Sequence, residues 1–439
     1  MSREVLLLCD CRHGGAKTID SHIDGLVRHS RHELHVANML GDIPPRLALE
    51  RFDVVLVHYT LMANHRAYLS PSARTRLAAY PGLKAVFVQD EYRWVNSTVE
   101  LLQQIGVHAL FTCVPPEEME KVYPEDKLPS VVKINTLTGY VDASLVERPV
   151  PPLSDRPVDV GYRARDLPAW LGELGQEKVR IGRRSAEDAR GQGLRTDISY
   201  REEDRLIGDE WVRFLTRCRA VLGVESGASV FDFTGEIMRN VERAVRREPH
   251  LSFDELQRRY FGEAEGQIRL NQISPRCFEA AALRTLMILY EGDYSHRLVP
   301  WRHYVPLRKD HGNMAEVLEV LRNTDRAQEI VDLAYREVAL NPINSYEALA
   351  GVLDDALDEC LKKASWRPVR AYSEDELEHD LAPSWRERSL RTGRSAFKFM
   401  HGLILGKVLG ILPDKMRNTV RNRLRRIYLG VTGKFNRYY

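Results

Sequence analysis

Short apolar runs alternate with amphipathic stretches through the first 145 residues. Val5 to Cys9, Leu34 to Ala37, Val54 to His58, Ala85 to Gln89, His108 to Thr112 and Val131 to Ile134 are each of strand length. Stretches between them, such as Ser97 to Ile105, carry apolar residues at helical spacing. Continuous apolar runs suit strands covered on both faces, so the alternation predicts a parallel sheet flanked by helices. Pro149, Pro151, Pro152 and Pro157 then interrupt the pattern. Proline fixes φ and removes a donor, which puts a linker at about 146–156. Further strands are predicted near Val158 to Tyr162, Val179 to Ile181, Ala220 to Val224 and Leu286 to Tyr290, and helices over Met314 to Leu321, Arg326 to Leu340 and Ser345 to Lys363. Two such doubly wound α/β domains would form a cleft between the carboxyl ends of their strands, where open sheets hold ligands.

At 439 residues the chain suffices for two ordinary domains and an extra segment. Its 44% hydrophobic and 29% charged content describes a globular protein in water. No run approaches the roughly 20 apolar residues of a membrane span. The opening MSREVLLLCDC reads as a first strand instead of a signal peptide, because Asp10 and Arg12 follow its apolar run. Six cysteines without a CxxC pair read as reduced thiols, and the expected location is cytoplasmic. Charge is uneven. Residues 393–439 hold eleven Lys or Arg against the single Asp414, a charge of +10 in a chain of net +2, which leaves −8 for the rest. Ala396 to Leu412 is apolar with sparse cations, and Lys415 to Tyr428 sets basic residues around Val420, Leu424 and Ile427. This is the pattern of amphipathic helices lying on an anionic inner-leaflet surface. A helix packed on the body with solvated cations is the second reading. Nucleic-acid binding is the third, without a recognisable motif.

Candidate chemistry gathers at the predicted strand ends. After the first strand, Gly14 and Gly15 offer backbone N–H groups to a phosphate or sugar, or simply make a tight turn. His58 ends one apolar run, and Asp90 with Glu91 ends another. Each is a candidate to receive a proton from an acceptor hydroxyl, the alternatives being a structural histidine and a salt-bridged surface turn. In the second half, Arg163 and Arg165 follow a strand and could neutralise a diphosphate. Glu225, Ser226 and Gly227 follow another, with Ser229 also suited to cap a helix. The densest signal is Ile273 to Asp293, ISPRCFEAAALRTLMILYEGD, which reads as short helix, buried strand and acidic loop. Arg276 and Glu279 share one side of that helix, and Glu291, Gly292 and Asp293 emerge after the strand. No HExxH, paired CxxC, EF-hand or strand-terminal DxD occurs, so no metal is expected. Asp354, Asp355 and Asp358 read as a solvated helix face.

The pattern SPRxFEAAAxxTLxILYEGDYS, with RHYVPLRKD at Arg302 to Asp310, resembles the C-terminal domain of group-1-like glycosyltransferases of the GT-B architecture, including CgeB-like relatives. The resemblance covers about 300 residues, most strongly 270–310. It implies two Rossmann-like doubly wound domains facing a cleft, plus a C-terminal basic amphipathic helical tail. The expected segments are an acceptor-side domain at 1–148, a nucleotide-sugar domain at 149–345, a helical extension at 346–392 and the tail at 393–439. The implied activity is metal-independent sugar transfer from a nucleotide-diphosphate sugar, the co-substrate, to a saccharide or lipid-linked saccharide in polysaccharide synthesis. Glu279 would bind the ribose. Arg276, Arg163 and Arg165 would stabilise the departing diphosphate, and Asp90 or Glu91 would lie on the acceptor side. The family's earlier acidic position, eight residues before Glu279, is occupied by Asn271. A non-catalytic assembly or scaffold protein with the same shell, and a sugar-nucleotide epimerase, are the alternatives.

Overall fold

In a computed structural model, residues 2–11, 17–62, 64–363, 366, 368 and 370–382 are described. The expected basic tail and the pair Gly14 and Gly15 lie outside the described residues. The first lobe runs β1 (Glu4–Cys9), α1 (Lys17–His29), β2 (Glu33–Asn38), β3 (Val54–Val57), α2 (Pro71–Ala79), β4 (Leu83–Phe87), α3 (Val95–Ile105), β5 (Ala109–Thr112), α4 (Met119–Val122), β6 (Val132–Asn135) and α5 (Ala143–Val146). Its six strands pair in the order β2-β1-β3-β4-β5-β6, all parallel. Each predicted strand of this half lies within a residue or two of an observed one. β3, β4 and β5 are buried along their whole length, as continuous apolar runs require.

The second lobe runs β7 (Val158–Arg163), α6 (Glu173–Asp188), β8 (Thr196–Ser199), α7 (Asp209–Arg217), β9 (Cys218–Gly223), β10 (Ser226–Val230), α8 (Glu236–Arg247), α9 (Phe253–Leu256), β11 (Glu265–Gln272), α10 (Pro275–Ala282), β12 (Leu286–Tyr290), β13 (Val305–Leu307), α11 (Met314–Arg322) and α12 (Thr324–Ala334). Five strands make a second parallel sheet in the order β13-β12-β9-β7-β8. Two doubly wound sheets with flanking helices are therefore present, as the alternation predicts.

Three expectations change. Val179 to Ile181 is not a strand but part of α6. Leu174, Ile181 and Ser185 are buried there at helical spacing, while Arg183 and Arg184 face solvent. Gly172, at φ +78°, turns the chain into this helix. Glu265 and Ser229 side chains accept the N–H groups of Glu173 and Leu174 at its start, so Ser229 caps a helix distant in sequence.

The second change is an antiparallel pair, β10 and β11, that leaves the second sheet. Ile268 and Leu270 of β11, with Phe231 just after β10, pack with first-lobe residues such as Leu110 and Val114. Gln272 Nε2 donates to the Cys113 carbonyl at 2.7 Å, and the Asn96 N–H donates to the Phe233 carbonyl at 3.1 Å. Thr138 Oγ1 adds a third tie, donating to the Ile273 carbonyl at 2.7 Å. The pair thus holds the lobes together beside the cleft.

Third, helix α13 (Tyr346–Lys363) returns to the first lobe, followed by α14 (Glu374–Leu381). Leu349, Leu353 and Leu357 pack against the sheet core around Val5, Leu7 and Val54. Truncating Leu353, which has no exposed surface, to alanine would cost about 2–5 kcal/mol. Asp354 is buried and not part of a solvated face. It accepts the Arg31 N–H at 2.7 Å and the Ser30 hydroxyl, closing the turn after α1, while Asp355 pairs with Arg31 at the surface. No helix among the described residues is long and apolar enough to cross a membrane.

Candidate active site

The interlobe cleft collects side chains from α10, α7, α6 and the loop after β7 on one side, and from the loop after β4 on the other. Helix α10 begins at Pro275, tolerated in a first turn, and its N-cap Ser274 makes no side-chain capping bond. Its apolar face, Cys277, Phe278 and Ala281, is buried, which leaves Arg276 exposed and Glu279 half-buried. The Trp211 indole N–H donates to the Glu279 carboxylate at 2.7 Å. Burial raises the Glu279 pKa against the lowering effects of that bond and of Arg276. Arg276 lies over the Trp211 ring, 4.8 Å from its centroid, and donates to the Arg163 carbonyl.

Lys178, absent from the sequence-based candidates, belongs to the same group. Burial, followed by the nearby Arg276, pushes its ammonium down to about 8; Asp90 raises it and Arg165 lowers it. Electrostatic reach between Lys178 and both Arg276 and Asp90 joins the two lobes at one place. Arg165 is exposed, and neither it nor Lys178 has an ion-pair partner among the described residues. Asp90 is exposed, sits at φ +54°, and accepts from the Tyr92 hydroxyl at 3.2 Å. Trp94 in the same loop has φ +52°. Two non-glycine residues in the left-handed region within five positions is the kind of backbone outlier that gathers at functional sites.

Other candidates stand elsewhere. Glu91 points into the first lobe, accepting the Thr112 hydroxyl at 2.6 Å, the Cys113 N–H at 2.8 Å and the Tyr123 hydroxyl. Burial dominates over these bonds and pushes its pKa up to about 7. His58 is fully buried, between His22 at 3.0 Å and Thr60 at 3.0 Å, with its pKa pushed down by burial and then by His22. Neither group reaches an acceptor in the cleft, because each is spent on internal partners. Arg163 is similarly engaged, donating to Asp197 at 2.7 Å with its guanidinium 4.4 Å from the Phe214 ring centroid.

Glu225 is buried and accepts the Asp293 and Tyr294 N–H groups at 3.1 and 2.8 Å and the Asn271 amide at 2.6 Å. Its carboxylate therefore shapes the loop of Glu291, Gly292 and Asp293, where a Cβ on Gly292 would meet it at 2.7 Å. Glu291 and Asp293 are exposed, and Asp293 pairs with His296 at 2.7 Å. Ser226 and Gly227 open β10. Gly227, at φ +111°, lets the Leu270 carbonyl approach to where a Cβ would meet it at 1.7 Å.

What the fold and cleft define is a two-lobed α/β protein with Lys178, Arg165 and Arg276 gathered near Asp90 of the other lobe. No protein-family model matches the chain, and no curated protein matches it. Among solved structures, an alpha-glucosyltransferase in complex with UDP-glucose and DNA containing an abasic site is 9% identical, covering 82% of this chain and 100% of that one, with a TM-score of 0.48. The DNA-modifying enzyme beta-glucosyltransferase is 12% identical over 81% and 99%, with a TM-score of 0.45. HepE of Anabaena in complex with UDP-glucose is 9% identical over 82% and 100%, with a TM-score of 0.45. With scores below 0.5, none of these likenesses bears on the ligand or the reaction; the residues of the cleft do.

Proposed function

We propose that this protein is a GT-B glycosyltransferase that moves a sugar from a nucleotide-diphosphate donor to a hydroxyl of a saccharide or lipid-linked saccharide. The observation that carries the reading is the position of half-buried Lys178, within electrostatic range of Arg276 and Arg165 on its own lobe and of the exposed Asp90 on the other. As the sugar's C1–O bond to the β-phosphate breaks, its electron pair adds one further negative charge to an already anionic diphosphate, and clustered cations in a partly desolvated cleft stabilise that development. Arg276 and Lys178 have donors to spare for those oxygens, and with Arg165 they supply the countercharge without a divalent ion. Glu279, oriented by Trp211, accepts from the ribose hydroxyls. Asp90, the exposed carboxylate of the first lobe, takes the proton of the attacking hydroxyl. The test is nucleoside-diphosphate release from nucleotide sugars, with and without saccharide acceptors, in the native protein and in Lys178→Ala. Binding of diphosphates without release, across a broad acceptor panel, would instead favour the scaffold reading. Interconversion of the donor without acceptor would favour the epimerase.

A further inference from the structure

Asp90 belongs to the first lobe, but its loop is held by the second. The segment 231–235, between β10 and α8, runs beside residues 92–96. The Asp232 N–H donates to the Tyr92 carbonyl at 2.8 Å, the Asn96 N–H donates to the Phe233 carbonyl at 3.1 Å, and Arg93 and Asp232 pair as a parallel bridge. Asp232 is itself anchored, its buried carboxylate accepting the Met238 N–H at 2.8 Å in the first turn of α8. The two interlobe backbone bonds bracket Trp94, the left-handed residue at φ +52°. Its indole lies on Gly235, where a Cβ would meet Nε1 at 2.0 Å from a backbone at φ +76°. A non-glycine residue persists in the left-handed region where its surroundings over-determine it, and here the second lobe supplies those surroundings.

Tyr92 completes the arrangement. Its half-buried ring packs on the first-lobe core and on the second-lobe cluster of Trp170, Ala228 and Val230, with its centroid 6.3 Å from that of Trp170. Its hydroxyl donates to Asp90 Oδ1 at 3.2 Å. Burial, then Asp90, holds the phenol well above its ordinary range, so it stays protonated and acts toward that carboxylate as a donor. The bond engages Oδ1 and leaves Oδ2 to receive a proton.

We propose that Tyr92 and Gly235 are positioning residues for the transfer reaction: Tyr92 aims the Asp90 carboxylate, and Gly235 seats Trp94 so that the second lobe fixes the loop carrying Asp90. This rests on reading Asp90 as the base of a glycosyltransferase. The base of the first lobe is thereby placed by the lobe that carries the donor cations, and the contact between lobes sets the acceptor-side geometry.

The test uses the full chain and measures nucleoside-diphosphate release from a panel of uridine-, guanosine-, adenosine- and thymidine-diphosphate sugars, with and without maltose. Tyr92→Phe keeps the ring and removes the hydroxyl. It should lower kcat about tenfold, while nucleoside-diphosphate affinity, read by calorimetry, stays within about twofold. In an Asp90→Asn background the same change should have no further effect on kcat, because the two residues act as a unit. A loss of equal size in both backgrounds, or an unchanged kcat, would overturn the role of Tyr92. Gly235→Ala is read by amide hydrogen exchange beside kcat. Exchange at residues 92–96 should quicken about tenfold and kcat should fall, with diphosphate affinity kept. Unchanged exchange in that segment would overturn the role of Gly235, as would exchange quickened equally along the whole chain. No release from any donor by the native chain would sink the glycosyltransferase reading, and the exchange result alone would then decide whether the second lobe holds the loop.

Discussion

The Trp211 indole donates its N–H to the Glu279 carboxylate at 2.7 Å, joining α7 to α10 at the floor of the cleft. A carboxylate held this way presents its remaining lone pairs in a fixed direction, which is what recognition of a ribose diol needs. Trp211→Phe keeps the ring beneath Arg276 but removes the donor. It should weaken nucleoside-diphosphate binding about tenfold, or roughly 1.4 kcal/mol, measured by calorimetry.

Lys178 supplies a pH signature. With its ammonium at about 8, the cation is present below that pH and lost above it. Diphosphate affinity in the native protein should be level up to about pH 8 and fall beyond it, by up to tenfold per unit. Lys178→Arg, charged throughout, should flatten the fall. Parallel pH profiles for the two proteins would remove Lys178 from the donor site.

Asp90→Asn keeps the size of the side chain and removes its basicity. Transfer should fall by about 10²–10⁴ in kcat, with a much smaller change in donor affinity. Steady-state kinetics beside direct donor titration reads the two separately.

Glu91 makes a stability prediction. Its folded carboxyl holds the proton to about pH 7, whereas the ordinary value is 4.5, so across that window the unfolded chain is the form that releases it. Stability therefore falls as pH rises through the window, by at most about 3 kcal/mol. Urea unfolding of native protein and Glu91→Gln between about pH 5 and pH 8 should show a slope present in the first and reduced in the second.

Gly227 should tolerate no side chain. A Cβ there would meet the Leu270 carbonyl at 1.7 Å from a backbone at φ +111°. Gly227→Ala should cost about 2–4 kcal/mol in unfolding free energy and loosen the interlobe pair β10 and β11.

Much of the fold is legible in the chain. β3, β4, β5 and β12 are continuous apolar runs, and burial on both faces produces that signature directly. The misreading of Val179 to Ile181 has a physical cause. Three residues around an arginine look like a strand unless Leu174, Ile181 and Ser185 are counted as one helical face. That misreading also hid Lys178, one position before the run. β10 and β11 carry a residual alternation, but bridging the lobes depends on partners far along the chain. The same holds for Glu225, whose acidic strand-end position suggests a ligand contact, while its oxygens are taken by Asp293, Tyr294 and Asn271. Long-range hydrogen bonds leave no local pattern.

The most direct measurement is thermal unfolding of the native chain and Glu279→Ala in the presence of a panel of nucleoside diphosphates and nucleotide sugars, since a ligand selective for the folded state raises its stability by mass action. A rise selective for one nucleoside diphosphate and its sugars, lost in Glu279→Ala, is the result expected of a donor site in the cleft. No rise with any of them at millimolar concentration would contradict it.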